Sequence, residues 1–389
     1  MFGRKSTFRV VFAILALSLV ASACDGGTTT PPTGDGGGGG SIWVLLPDSA
    51  TSPRWEADDR RFFKAAFEAD GLVEGEDFNI VNAEGDAATQ QSQAEQAIAD
   101  SASVIVLVSL DTGSGATIIQ NAQDAGVQVV EYDRFNTGGP GGAAYVSFDN
   151  VQVGRTMAEV LEPEIDALGV DTPQIVMLNG GEEDNNSFQF RAGYAETVEA
   201  RVDAGDWELV ADQHVPGWGA NGEGQGIMEG ILVDANNEVD AVFAANDNLA
   251  QQAINALDAA GVGPIPISGQ DASAVGMQNI LLGNQAMSVY KPIEPEAGVA
   301  AALALALREG GGIEDIQTDF EYALIGIDSA TGEAVDSAEG DGIVPYLALT
   351  PIGVTADNIA DTVIADGFRT VEEICTGDVA STQFCQDNA

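Results

Sequence analysis

The chain has 389 residues, 61 acidic against 14 basic, for a net charge of −47, and 45% of it is hydrophobic. That length exceeds one ordinary core and indicates two domains, which the apolar fraction can fill. A surface this negative repels nucleic acid and anionic headgroups, so a nucleic-acid partner is excluded. The acids are spread along the whole chain, as in a solvated coat that keeps a protein soluble in concentrated salt. A saline habitat is therefore expected, and with it a melting temperature that rises with added KCl.

Residues 1–9 are basic and residues 10–20 apolar except for Ser18. Ala21-Ser22-Ala23-Cys24 follows, which makes residues 1–23 a secretory signal peptide, too short to span a bilayer as a mature helix. The small residues before Cys24 resemble a bacterial lipobox, in which the cysteine is lipidated and becomes N-terminal. Ala21 stands where that motif usually has Leu, and cleavage after Ala23 without a lipid is the alternative. Residues 24–40 comprise the lipidated Cys24 and a tether, DGGTTTPPTGDGGGGG, with nothing to bury. As a Gly-rich coil the tether would hold the folded part about 20–24 Å from its anchor.

From Ser41 onward, apolar β runs alternate with amphipathic helical stretches. The runs cover 42–46, 78–81, 104–108, 127–132, 144–148, 175–178, 209–214, 241–245, 265–267 and 287–290. Helical stretches cover 54–69, 89–99, 116–125, 151–168, 188–202, 226–233, 249–260 and 295–307. Such alternation predicts α/β layers with mostly parallel sheets. A Gly-rich turn at 138–142 leads into the run 144–148 with no helix before it, which marks a crossover between domains.

Polar residues cluster just past the carboxyl ends of these runs. They are Asp48, Asp111, Asp133-Arg134, Asp184-Asn185-Asn186, Asn246-Asp247 and Gln270-Asp271. Open α/β sheets bind ligands at that edge. Any one Asp there also reads as a helix N-cap; six clusters at one topological position point to a shared cleft. The stretch 268–292 belongs to the same pattern, with Asp271 after one run and Lys291 after the next, locked by Pro292. Only Lys64 and Lys291 follow the leader, so this lysine is expected in the site. A carboxylate that only accepts and an ammonium that only donates suit a neutral polyhydroxylated ligand.

These residues carry a resemblance. The folded chain, residues 42–368, resembles the type I periplasmic sugar-binding proteins of ABC transporters, most nearly the D-xylose-binding ones. The motifs are Arg54-Trp55, Tyr132-Asp133-Arg134, Ser147-Phe148-Asp149-Asn150, Gly180-Gly181 and Asp184-Asn185-Asn186. Gly217-Trp218, Asn246-Asp247, Ser268-Gly269-Gln270-Asp271, Val289-Tyr290-Lys291-Pro292 and Leu349-Thr350-Pro351 follow in order. The resemblance implies a periplasmic-binding-protein type I fold: two Rossmann-like lobes with parallel sheets, joined by a three-strand hinge. The expected first lobe is 41–148 plus 292–340, the second 149–291 plus 341–370, and the tail 371–389.

It also implies sugar contacts at Arg54, Trp55, Asp133, Arg134, Asp184, Asn186, Trp218, Asn246, Asp271 and Lys291. Carboxylates take hydroxyl protons and Arg, Lys and Asn supply donors. Trp55 and Trp218 can cover the apolar C–H faces of a sugar ring. Trp218, in a Pro-Gly-Trp-Gly loop, reads otherwise as a loop aromatic, while Trp43 and Trp207 belong to packing. Glu182-Glu183 and the loop 135–142 depart from the family pattern. The loop 47–53 looks closer to relatives that bind glucose, galactose or arabinose, so those sugars stand beside D-xylose. The implied mechanism is hinge closure on a monosaccharide, with the closed form read by ABC permease subunits. A monomer without cofactor or metal is expected, held at the membrane by its lipid.

Three cysteines in an exported chain divide into a lipidated Cys24 and a disulfide between Cys375 and Cys385. The lone histidine, His214, has no serine or cysteine motif to serve and reads as a structural or surface residue rather than a base. The rival class is a glycoside hydrolase using Asp133 and Asp271. Acid catalysis needs one of them protonated, whereas Arg134 and Lys291 are expected to keep both ionised, which favours binding. A sugar-sensing transcription factor is excluded by the export signal and the charge.

Overall fold

The computed structural model describes residues 39–388 except 50, 51 and 53. The signal peptide, Cys24 and most of the tether lie outside the described residues. The chain begins with β1 (Ile42–Leu46), α1 (Arg60–Ala69), β2 (Phe78–Asn82), α2 (Ala87–Ala99), β3 (Val104–Leu107), α3 (Thr112–Asp124), β4 (Gln128–Tyr132) and β5 (Ala144–Phe148). It continues through α4 (Asn150–Ala167), β6 (Gln174–Asn179), α5 (Asn185–Ala204), β7 (Glu208–His214), α6 (Glu223–Asp234), β8 (Ala241–Ala244), α7 (Asp247–Ala260), α8 (Ala274–Leu282) and β9 (Ser288–Tyr290). It closes with α9 (Ile293–Arg308), β10 (Ala323–Asp328), β11 (Ala334–Val335), β12 (Ile343–Leu349), β13 (Ile352–Val354), α10 (Val371–Ile374) and α11 (Gln383–Asn388).

The first sheet has eight strands in the order β11-β10-β12-β5-β4-β3-β1-β2. Its β1 to β5 and β12 pair in parallel, and β10 and β11 add an antiparallel edge. All five residues of β1 are buried, and alternate ones serve opposite faces. Ile42, Val44 and Leu46 pack with Phe63 and Phe67 of α1 and Leu303 of α9. Trp43 and Leu45 pack with Ala94 of α2 and Ile118 of α3. The second sheet, β7-β6-β8, is carried further by single bridges from Val242 to Ile267 and from Gln270 to Val289. Its core includes Met177, Tyr194, Trp207 and Phe243. Trp43 and Trp207 are thus packing residues, as expected.

Two sequence expectations are corrected. Residues 341–370 do not belong whole to the second lobe, because β12 lies in the first sheet, paired in register from Tyr346↔Tyr145 to Leu349↔Phe148. The chain leaves that sheet only at Thr350-Pro351, because the apolar run before it finds its partner beside β5. The run at 265–267 is a single bridge at Ile267 rather than a strand, since Pro266 within it and Pro264 just before it cannot donate to a ladder.

The chain therefore crosses between the two sheets after β5, after β9 and after β12. The tail packs Ile374, Val379 and Cys385 against Met277, Tyr290 and Phe368. Cys375 and Cys385 form a disulfide, as expected, with Cα atoms 5.5 Å apart.

Candidate functional site

Asp133 is the centre of the site. It follows β4 in the left-handed region, at φ +57, a conformation Asp tolerates better than most residues. Its Oδ2 accepts from Arg54 Nη1 and from Lys291 Nζ, each at 2.9 Å. Its carbonyl accepts from Tyr145 Oη at 2.6 Å and from Asn186 Nδ2 at 2.9 Å. Burial works to raise the Asp133 carboxyl, but Lys291 and Arg54 outweigh it and hold the group far below the usual carboxylate range.

Arg54 enters on a wide π-type turn, Trp55–Asp59, that leads into α1. A residue shift of this kind re-aims side chains and recurs at functional sites. Behind Arg54 lies a layer that the sequence did not reveal. Asp59 takes Arg54 Nε at 2.9 Å and Nη2 at 2.7 Å, and Glu296 of α9 takes Nη2 at 2.6 Å. Tyr132 Oη donates to Asp59 at 2.7 Å. These groups hold the guanidinium in one orientation, as a rigid binding site requires. The only sequence signal for Glu296 is an acid just before the long apolar run of α9.

The second sheet supplies the facing wall. Asp184 caps α5, accepting from Asn186 N at 3.0 Å, and lies 3.0 Å from Arg134 Nε. Trp218 Nε1 donates to Asp184 at 3.1 Å, and its ring meets Phe190 edge-on. That ring fits because residue 180 is glycine: a Cβ there would fall 2.5 Å from the indole. Asn246 caps α7, accepting from Leu249 N at 2.9 Å. Asp271 sits beside Gln270 with φ +95, and Trp218 has φ +54. Left-handed backbone at three site residues is strain of the sort that binding sites retain.

All ten candidate residues line one narrow cavity between the two sheets, with about 30 Å³ of free space. Trp55 lies under both guanidinium groups, with Arg54 Cζ at 4.5 Å and Arg134 Cζ at 5.4 Å from its ring. Lys291 lies 5.7 Å from the Phe148 ring and 5.8 Å from Phe190. Ser52 and Phe190 also line the cavity with no signal in the sequence, as does Gln270, which the strand-end pattern marks but the set of sugar contacts omits. Two of the six strand-end clusters do not reach it. Asp111 caps α3 through Ser114 N, and the Asp48 carbonyl accepts from Asn82. His214 is structural, its Nδ1 2.9 Å from the Gly180 carbonyl.

Cations hold the Asp133 carboxyl below the usual carboxylate range, as expected, but they do not do so at Asp271. Burial raises Asp271 above the usual range, and Lys291 and Arg54 offset that only partly. Asp184 is likewise raised by burial, with Arg134 opposing.

A family model described as a periplasmic binding protein domain matches residues 43–312. The chain belongs to the type I periplasmic binding proteins. A D-xylose-binding periplasmic protein of Escherichia coli is 35% identical over 84% of this chain and 90% of that one. A multiple sugar-binding periplasmic protein of Azospirillum brasilense is 27% identical over 85% of this chain and 90% of that one. An ABC transporter solute-binding protein from Clostridium phytofermentans, solved with β-D-glucose, superposes with a TM-score of 0.72 at 25% identity. It covers 86% of this chain and 99% of its own. As a member of this family the chain is an extracytoplasmic monosaccharide-binding protein of an ABC importer and not an enzyme.

Proposed function

We propose that the cavity binds D-xylose, and that the ten residues named above make the contacts. The observation that carries this reading is the lining itself. Carboxylates, guanidinium groups, an ammonium and amides alternate there between two indoles. The 35% identity to a D-xylose-binding protein supports it. A hexose reading is favoured by the β-D-glucose held in the Clostridium phytofermentans relative. The sugar bridges the two lobes, hinge closure follows, and permease subunits read the closed form. Cys24 carries a lipid that anchors the protein outside the membrane.

Calorimetry against D-xylose, L-arabinose, D-glucose and D-galactose tests the ligand. D-xylose should bind tightest; equal or tighter D-glucose binding installs the hexose reading, and no heat from any sugar removes the function altogether. Metabolic labelling with a fatty-acid probe should mark the wild type and leave Cys24→Ala unlabelled.

A further inference from the structure

A second cavity, about 270 Å³, adjoins the first and shares Ser52, Arg54, Asn246 and Asp271 with it. We propose that this vestibule is a subsite for a second sugar ring, so that the protein takes disaccharides as well as monosaccharides.

The vestibule is open while the lobes are already joined beside it. Arg134 meets Asp184 at 3.0 Å and Lys291 meets Asp133 at 2.9 Å, so the contacts that close the first cavity do not close the second. A ligand extending from one into the other leaves those contacts intact. Its floor is preformed. The buried Asp247 carboxylate accepts from Ser273 N at 2.8 Å and Ser273 Oγ at 2.9 Å, which ties the start of α8 to the start of α7. Gln285 Nε2 donates to the same carboxylate at 2.8 Å.

The walls have the chemistry a pyranose needs. Asn248, Gln251, Ser273 and Arg369 present amide, hydroxyl and guanidinium groups, while Ala220 and Val275 present carbon to the ring's C–H faces. Arg369 is itself held in place, its Nε donating to the Ala272 carbonyl at 3.1 Å and its Nη1 3.6 Å from Asp58 Oδ2. Val275 is 44% exposed, an apolar side chain at the rim that a sugar face would cover. The inference rests on the sugar-binding reading of the first cavity.

Calorimetry with D-xylose, xylobiose and cellobiose tests it on the full mature chain. At least one disaccharide should bind within about tenfold of D-xylose, a spread of roughly 1.4 kcal/mol. Val275→Trp and Ala220→Phe each fill the vestibule without touching the first cavity. They should weaken the disaccharide about tenfold or more and leave D-xylose unchanged. D-xylose binding with no heat from either disaccharide overturns the subsite, leaving an open mouth that holds water only. So does a disaccharide whose affinity neither variant alters. Silence from all three, with no heat from L-arabinose, D-glucose or D-galactose either, overturns the sugar-binding reading itself, and the subsite with it.

Discussion

Arg134 Nε and Asp184 Oδ2 stand 3.0 Å apart, one at the end of a strand in the eight-stranded sheet and the other capping the helix that follows β6 in the second. Both are buried, so the pair is a charge-assisted link across the cleft rather than a surface contact. A second link lies further along α5, where Asn185 and Gln189 both donate to the Gly332 carbonyl in the β10–β11 hairpin, at 3.1 and 2.9 Å.

Asp184→Ala would leave Arg134 buried without its carboxylate and Trp218 without its acceptor. Removing one partner of a buried pair costs about 3–5 kcal/mol, so sugar affinity should fall roughly 100-fold or more. Small-angle scattering should show a larger radius of gyration at saturating sugar than for the wild type. Wild-type affinity and radius would show that the pair does not control closure.

Asp133 and Asp271 should respond in opposite ways to neutralisation. The folded state lowers the Asp133 carboxyl, so its charge contributes stability that is present above the unfolded value and lost only in strong acid. It raises Asp271, so that charge opposes folding at neutral pH. Asp133→Asn should lower the melting temperature and abolish binding. Asp271→Asn should hold or raise the melting temperature while weakening the sugar by about 1–3 kcal/mol. Thermal melts and calorimetry on the two variants check the contrast; parallel effects would refute it.

Cys375 and Cys385 close a short loop, and loops of this size confer about 2–3 kcal/mol. Ellman titration of the unreduced, unfolded protein should find neither thiol. Mild reduction should raise hydrogen exchange in residues 371–388 and around Met277 and Phe368, which the tail covers, before the rest of the fold responds. Uniform exchange after reduction would mean that the tail adds no local stability.

Glu131 accepts from Asn136 N, Asn136 Nδ2 and Gly142 N, each at 2.8 Å, yet burial still pushes its carboxyl up to about 7. The folded chain thus holds a proton between the ordinary 4.5 and about 7 that the unfolded chain has released. Stability should therefore fall as pH rises through that window and level off above it. In about 2 M KCl, which screens the acidic surface, Glu131 should cost roughly 1–3 kcal/mol between pH 5 and pH 8. Glu131→Gln should flatten the slope; an unchanged slope would assign it to other carboxylates.

The α/β alternation and the strand-end acids were legible because each depends on short-range pattern. A period of two or 3.6 residues, with Asp or Asn just past an apolar run, is local information. Arg54, Asp133, Asp271 and Lys291 could be named from it and from the motifs they sit in. Asp59 and Glu296 could not, and Tyr132 only as a motif member without a role, because what makes them matter is a guanidinium reached through the fold, with Glu296 arriving from α9.

By itself the chain's order of residues determined that two α/β layers form and that their polar residues gather at sheet edges. Hydrophobic periodicity and capping chemistry act within a few residues. Only the tertiary structure decided which edges face each other. Strand pairing placed β12 beside β5, which moved the third crossing to Thr350-Pro351. Packing sent Asp111 to cap a helix and Asp184 to meet an arginine. Pairings between distant segments follow from burying both faces of a sheet at once, and no local pattern records that.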